Sequence, residues 1–217
     1  MMKTNVLKST LTPIVALLLC VALYFLGYFQ VLFAALIVIA ASGIEYGRGL
    51  FTSLGFQRHR LKALNLLVVA PLVAGVMFAL YLYVLIPGIT YLTGQPIDFS
   101  AFKVYEGKLP AILGLFVYIW ASAAFGEEIL FRGYLMRQFI KFFGDSRIAL
   151  ILNIILLSAV FGWIHAYQGI TGQIITGIIG TTMATIFHFR KYDLWFCIAI
   201  HGFFDTIALV FMYYGIQ

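Results

Sequence analysis

Long apolar runs separated by short polar segments occupy most of the chain, which is the pattern of a polytopic helical membrane protein. The first run covers residues 11–44 and is too long for one span of about 20 residues. Gly27 lies near its middle, so we predict two short helices joined by a tight turn. The pattern predicts an all-α bundle of about seven transmembrane helices, with eight as the alternative. We expect the later spans at residues 64–86, from Pro110 to just before Arg132, and at 148–167, 172–187 and 194–214.

Two local features refine the ends of these helices. Pro87-Gly88 is a strong helix terminator and predicts the end of the third span. The mixed, aromatic residues that follow, up to Leu109, predict a loop lying along the membrane surface. Glu45 precedes Arg48 by three residues, so we expect a solvated pair at the membrane interface.

Composition supports an integral membrane protein. Of the 217 residues, 63% are hydrophobic and only 10% are charged, and the mean hydropathy is +1.02. Cys20 and Cys197 both fall in apolar runs, which indicates buried thiols and no disulfide framework. Lys3 and Lys8 before the first run resemble a signal peptide, but no small-residue cleavage site follows, so we predict a retained first span.

The net charge of +6 does not indicate nucleic-acid binding, because the basic residues cluster in short segments between spans. They lie near the N-terminus and in residues 46–62, 132–147 and 190–191, whereas Lys103 and Lys108 lie on the other side. The positive-inside rule therefore predicts a cytoplasmic N-terminus and an external C-terminus. A bacterial plasma membrane is the expected location.

Ionisable residues inside the apolar runs are the candidate functional groups, because a charge in the hydrocarbon costs several kcal/mol. Glu127 and Glu128 are adjacent, and Arg132 lies one helical turn after Glu128 as a counter-ion. His201 and Asp205 share a helix face through their i, i+4 spacing. The full candidate set is Glu127, Glu128, Arg132, His165, His201 and Asp205.

Helix rise tests whether these residues can meet. If the fourth and fifth spans pair around residue 145, Glu127 and His165 lie within a turn of the same depth. His201 is then shallower by about 15 Å. The three converge only if the hairpin of the fourth and fifth spans projects further into the cytoplasm.

A carboxylate and two imidazoles in a partly dry pocket can deprotonate water and stabilise an oxyanion. The same three residues, Glu127, His165 and His201, are also a possible ligand set for a divalent metal such as zinc, with one open position. A metal-dependent and a metal-free mechanism are both open at this point.

Three motifs occur in order on these spans. They are EExxxR at 127–132, FxxxH at 161–165 and HxxxN/D at 201–205. With these three motifs in this order, the chain resembles the CPBP family of CAAX-processing and bacteriocin-processing intramembrane proteases. The family is also called the ABI or abortive-infection family, and it includes the type II CAAX prenyl endopeptidases. The resemblance places a catalytic helical core at residues 110–217, and residues 1–109 carry no recognisable motif.

The resemblance implies roles for the site residues. Glu127 would activate the attacking water with help from His165. His201 and Asp205 would bind the oxyanion or orient the scissile carbonyl, although an anionic Asp205 cannot donate a hydrogen bond. Glu128 and Arg132 would support the site. The family has been described both as metalloproteases and as metal-free, glutamate-dependent enzymes.

The predicted function is an intramembrane endopeptidase that opens toward the cytoplasmic side and processes CAAX-type, bacteriocin or other peptides. The alternative is a non-catalytic immunity or scaffold protein that keeps the same pocket. A proton-coupled transporter is disfavoured because no inverted repeat is visible.

Expected partners are a peptide or protein substrate, lipidated or not, and the lipid bilayer. A small-residue stripe in the sixth span indicates close helix packing, with a homodimer as a further option; its members are Gly172, Thr176, Gly180 and Ala184.

Overall fold

The computed structural model describes residues 2–27 and 30–216, with side chains from residue 10 onward in those ranges. The described residues form only helices and their connections, which confirms the all-α class. The principal helices are α1 (Met2–Phe25), α2 (Val31–Tyr46), α3 (Asn65–Thr93), α4 (Leu109–Phe143), α5 (Arg147–Trp163), α6 (Gly169–Phe189) and α7 (Leu194–Tyr213). Short helical segments lie between them at Gly47–Gly49, Leu50–Ser53, Arg58–Arg60, Ser100–Tyr105 and Ala166–Gln168.

The number of spans differs from the prediction. Within the described ranges, five helical stretches are long and apolar enough to cross a membrane, and they begin at residues 31, 65, 109, 166 and 194. The polytopic membrane class is therefore confirmed, but seven spans are not. The two other predicted spans correspond to the shorter apolar helices Thr10–Phe25 and Arg147–Trp163. Arg147–Trp163 measures about 25 Å at 1.5 Å per residue, which is less than a hydrocarbon core of about 30 Å. Thr10–Phe25 is the part of α1 whose side chains the structure describes.

The first apolar run folds as predicted. α1 ends at Phe25 and α2 begins at Val31, with Gly27 at φ 74° in the connection. A positive φ is open to glycine without steric cost, which explains why the run breaks at this residue.

The predicted helix end at Pro87-Gly88 is wrong. α3 continues through both residues to Thr93 and ends at Gly94, which has φ 68°. A wide π-helical turn at Tyr81–Leu85 directly precedes Pro87, and in it the Ile86 N–H donates to the Tyr81 carbonyl. Such a turn shifts the preceding carbonyls, so that the proline ring finds room within a continuous helix.

Close packing of α5 against α6 depends on glycine. A Cβ atom added to Gly162 of α5 would lie 3.2 Å from the Cα of Gly177, and one added to Gly180 would lie 3.1 Å from the Phe161 ring. The stripe predicted in α6 faces the protein interior at Gly172, Gly180 and Ala184, which are all buried. Its role in helix packing is therefore confirmed.

Glu45 does not form the predicted solvated interfacial pair. Its side chain is only 1% exposed and accepts hydrogen bonds from three residues of α4. The donors are Tyr134 Oη at 2.8 Å, Gln138 Nε2 at 3.1 Å and Lys141 Nζ at 2.8 Å. Sequence spacing could not show these partners, because they lie on another helix. The carboxylate joins α2 to the last turns of α4.

The end of α4 projects beyond the start of α7. A Cβ atom added to Gly133 would lie 3.0 Å from the Leu54 carbonyl oxygen and 3.2 Å from Leu194, so α7 begins at the level of Gly133 in α4. From Gly133, α4 continues for about ten residues to Phe143, or about 15 Å. The projection required for His201 to reach the glutamates is therefore present.

We predict that Glu45→Ala destabilises the protein. Loss of the carboxylate leaves the buried Tyr134 hydroxyl and the Gln138 amide without their acceptor, at a cost of about 1–3 kcal/mol. Thermal unfolding in detergent measures the effect. Arg48→Ala is the control, since Arg48 is exposed and its change should stay within about 0.5 kcal/mol. Equal midpoints for the two variants would show that the Glu45 contacts are not stabilising.

Candidate active site

The three motifs converge on one cavity of about 670 Å³. All six candidate residues line it: Glu127, Glu128, Arg132, His165, His201 and Asp205. They come from α4, from the connection after α5 and from α7. Both glutamates lie within Trp120–Leu135, the part of α4 that winds as a π-helix. Such winding is rare and is frequently found at functional sites.

Glu128 and Arg132 form a buried ion pair at the floor of the cavity. Glu128 is 0% exposed and Arg132 is 3% exposed, and Arg132 Nη1 donates to Glu128 Oε1 at 3.0 Å. Arg132 Nη2 also donates to the Gly180 carbonyl of α6 at 3.1 Å, and the guanidinium lies 4.8 Å from the centre of the Phe161 ring. The pair thus has polar and aromatic partners that reduce the cost of burying it.

His201 lies among three carboxylates. Its Nδ1 is 2.9 Å from Glu128 Oε1, and because a carboxylate only accepts, Nδ1 carries the proton. Its Nε2 lies 3.4 Å from Asp205 Oδ2 and 4.0 Å from Glu127 Oε2. The imidazole therefore connects the buried ion pair to the two carboxylates that face the cavity.

His165 lies just beyond the end of α5 and is held by its own helix. Its Nδ1 is 2.7 Å from the Phe161 carbonyl oxygen. A carbonyl only accepts, so Nδ1 carries the proton and Nε2 of the neutral ring is an acceptor. The Phe161 ring also packs against the imidazole, with centroids 4.8 Å apart. These contacts fix both the position and the tautomer of His165.

Glu127 is the more exposed of the two adjacent glutamates and lines the cavity. It is 8% exposed, and in the described part of the chain its nearest basic group is His201 Nε2 at 4.0 Å. Glu128 Oε2, which is buried beside it, has no hydrogen-bond partner among the described residues.

The sequence did not identify two aromatic residues that shape this site. Trp120 Nε1 donates to Thr206 Oγ1 at 3.2 Å, and its ring packs on Gly202. Tyr81 lines the cavity and packs edge-on against Phe204, with centroids 5.6 Å apart. A glycine directly after His201, Gly202, indicates that another helix can approach closely there. The sequence does not show that Trp120 is the residue that packs on it.

Part of the cavity lining comes from the end of the bundle that is poor in lysine and arginine. These residues are Gly27 and Gln30 of the α1–α2 connection, Phe99 and Phe102 of the loop before α4, and Ile216. That the site opens toward the cytoplasmic side stays a prediction.

The metal option receives no support from the donor positions. Within the described ranges, no group of three or more His, Cys, Asp or Glu side chains is placed to hold a metal ion. The set Glu127, His165 and His201 does not fit a metal as arranged.

Comparison with known proteins identifies the region that contains the site. Residues 108–207 match the model of the family described as type II CAAX prenyl endopeptidase Rce1-like. This match confirms the resemblance inferred from the three motifs, all of which lie within it. No curated protein and no solved structure matches the chain.

We predict that Gly202→Ala reduces both stability and activity. The added Cβ would lie 2.5 Å from the Trp120 ring, and relieving this overlap would shift Trp120 or the turn that carries His201, at a cost of about 1–3 kcal/mol. Thermal unfolding and peptide cleavage in detergent measure the two effects. Gly114→Ala is the matched control, because no other atoms surround that exposed glycine of α4. A Gly202→Ala variant as stable and active as Gly114→Ala would contradict the packing argument.

We predict that Arg132→Met destabilises the protein by about 3–5 kcal/mol, because it leaves the buried Glu128 charge unpaired. The double variant Glu128→Gln/Arg132→Met removes both charges and should recover much of that loss. Chemical or thermal unfolding in detergent compares the three proteins. If the double variant is less stable than the single variant, the destabilisation does not come from an unpaired charge.

Proposed function

Because residues 108–207 form a domain of the type II CAAX prenyl endopeptidase Rce1-like family, we propose that this protein is an intramembrane endopeptidase. It hydrolyses peptide bonds of membrane-associated peptides with a water molecule activated by Glu127. The observation that carries the proposal is the arrangement at the cavity floor, where accessible Glu127 lies beside His201 while Glu128 is held by Arg132. Glu127 is available for catalysis, whereas Glu128 stabilises the structure of the site.

The first step is activation of water. Glu127 accepts a proton from a water molecule in the cavity, and the resulting hydroxide attacks the carbonyl carbon of the scissile peptide. His165 aids this step, because its Nε2 is an acceptor that orients the second O–H of the water. The contact of Nδ1 with the Phe161 carbonyl keeps Nε2 in that state.

The second step is collapse of the tetrahedral intermediate. With a proton on Nε2, His201 donates to the oxyanion, and Asp205 at 3.4 Å orients that N–H. Protonated Glu127 then gives its proton to the leaving amine as the C–N bond breaks. The products are a carboxylic acid and an amine, and Glu127 returns to its starting state. Asp205 serves as a positioning residue, which an anionic side chain can do without donating a hydrogen bond.

The walls of the cavity favour an apolar substrate segment. Aromatic and aliphatic side chains from α3, α4 and α7 line most of it, including Phe78, Tyr81, Tyr118, Phe204 and Met212. A volume of about 670 Å³ lies within the range of sites that take drug-sized ligands. An extended apolar peptide, with or without an attached lipid chain, fits these walls. CAAX-type and bacteriocin-type substrates are both of this kind.

Cleavage of a peptide library by the purified protein in detergent tests the proposal. We expect Glu127→Gln to reduce turnover at least about 100-fold, as expected for loss of a general base, while the unfolding midpoint stays close to that of the native protein. His165→Ala should be nearly as damaging. Glu106→Gln is the matched control, because Glu106 is exposed in the loop before α4.

Parallel assays with a chelator and elemental analysis determine whether a metal takes part. Normal turnover by folded Glu127→Gln would rule out the assignment of the base. If the native protein cleaves nothing but binds a partner that Glu127→Gln also binds, the scaffold alternative replaces the enzyme.

A further inference from the structure

Three polar side chains in the lining of the cavity are linked by hydrogen bonds. Thr176 Oγ1 donates to Gln168 Oε1 at 3.4 Å, and Gln168 Nε2 donates to Tyr167 Oη at 3.1 Å. All three residues line the cavity, as does His165, which precedes Tyr167 by two residues. They belong to the short helical turn after α5 and to the first half of α6. None of the three is part of the EExxxR, FxxxH or HxxxN/D motif.

The direction of these hydrogen bonds leaves the hydroxyl hydrogen of Tyr167 free. A phenolic hydroxyl carries one hydrogen and also accepts through its lone pairs. Tyr167 Oη accepts from the Gln168 amide, so its own hydrogen points away from that amide. In the part of the chain that the structure describes, this hydrogen is donated to no acceptor. The Tyr167 side chain is 52% exposed and lines the cavity, so its O–H is available to a bound molecule.

The backbone around Gln168 fixes the position of this hydroxyl. The Gln168 N–H donates to the His165 carbonyl at 3.0 Å, and the Gln168 carbonyl accepts from the Asp98 N–H at 3.0 Å. A Cβ atom added to Gly172 would lie 3.0 Å from Gln168 Oε1 and would overlap Gln168 Cβ, so Gly172 makes room for the amide. Gln168 is therefore held by its neighbours and orients Tyr167 in turn.

The Tyr167 ring packs against both His165 and Phe102. Its centroid lies 5.8 Å from that of the His165 imidazole and 6.2 Å from that of the Phe102 ring. An extended peptide advances about 3.3 Å per residue. A peptide carbonyl beside Tyr167 is therefore one or two residues away from a peptide bond beside His165.

A peptide that is hydrolysed in this cavity needs hydrogen-bond donors for its backbone. Water must reach the scissile carbonyl, so the segment beside Glu127 cannot be a closed helix and its carbonyls lose their helical partners. A carbonyl without a partner in apolar surroundings costs several kcal/mol. Aromatic and aliphatic side chains form most of the cavity walls. The free Tyr167 hydroxyl is a neutral donor in these walls, next to His165.

We propose that Tyr167 binds the backbone of the substrate by donating its hydroxyl hydrogen to a carbonyl one or two residues from the scissile bond. Gln168 and Thr176 are positioning residues, which turn that hydrogen toward the cavity. This inference rests on the proposed protease function, since the substrate is the peptide that Glu127 and His165 help to hydrolyse.

Tyr167→Phe tests the donor, because it keeps the ring and removes only the hydroxyl. Cleavage of the best peptide from the library gives KM and kcat. A dansyl-labelled pentapeptide of alanine, leucine and phenylalanine gives Kd, titrated onto Glu127→Gln and onto Glu127→Gln/Tyr167→Phe in detergent. We expect KM and Kd to rise about 10-fold, the size of effect of one hydrogen bond, with kcat nearly unchanged, as for a lost binding contact. Tyr91→Phe is the matched control, because Tyr91 is 87% exposed.

Gln168→Glu tests the positioning role and gives a result that loss of packing alone would not give. A carboxylate only accepts, so the Tyr167 O–H would donate to it and would turn away from the substrate. We expect Gln168→Glu to weaken peptide binding as much as Tyr167→Phe does. The double variant should be no weaker than either single variant, because both changes remove the same hydrogen bond. Gln168→Leu leaves the O–H free and should weaken binding less. Additive losses in the double variant would overturn the role of Gln168.

The binding and cleavage measurements separate this proposal from the protease function. If the native protein cleaves peptides while Tyr167→Phe leaves KM and Kd unchanged, the protease function stands and the role of Tyr167 is wrong. If no peptide is cleaved but Tyr167→Phe weakens binding of the labelled peptide, the protease function fails and Tyr167 remains a peptide-binding residue. Equal loss of affinity in Tyr91→Phe and Tyr167→Phe would also overturn the proposal.

Discussion

The buried ion pair of Glu128 and Arg132 constrains the rest of the site, because an unpaired charge at that depth would cost several kcal/mol. The pair is satisfied by groups from three other helices: His201 of α7, the Gly180 carbonyl of α6 and the Phe161 ring of α5. Each of these contacts requires its helix to stay at one depth relative to α4. The polar network therefore fixes the helix arrangement that also presents Glu127 and His165 to the cavity.

Close helix approach at glycine is the second requirement. Gly180 makes room for Phe161, Gly202 for Trp120 and Gly133 for the Leu54 carbonyl. A methyl group at any of them would meet a ring or a carbonyl oxygen within about 3 Å and would separate helices that the ion pair holds together. Small residues are the usual means by which membrane helices pack closely, since burial from lipid gives little driving force.

These two features explain how hydrolysis could take place inside an apolar protein. Water must reach Glu127, yet the charges behind it must stay shielded so that they hold their geometry. The cavity meets both needs, because Glu127 lines it while Arg132 and Glu128 are buried in its floor. Its aromatic walls keep the reacting region less polar than the membrane surface, which strengthens the interaction of charged groups with a developing oxyanion.

Sequence alone determined the helical membrane class and the residues that meet in the cavity. Charged groups such as Glu127 and His201 are conspicuous in apolar runs, and their i, i+4 or motif spacing is a local property of one helix. Sequence alone also showed the break at Gly27, where backbone conformation is a local matter. It failed at Pro87, because the π-helical turn that accommodates the proline depends on packing.

Tertiary structure alone decided the partners of Glu45, the bridging position of His201 and the aromatic side chains that line the cavity. Each depends on the relative depth and winding of helices that are far apart in the chain. The depth and winding of the helices are set by contacts between them, such as that of Gly133 with Leu194. The pattern of hydrophobic residues along the chain does not show these contacts.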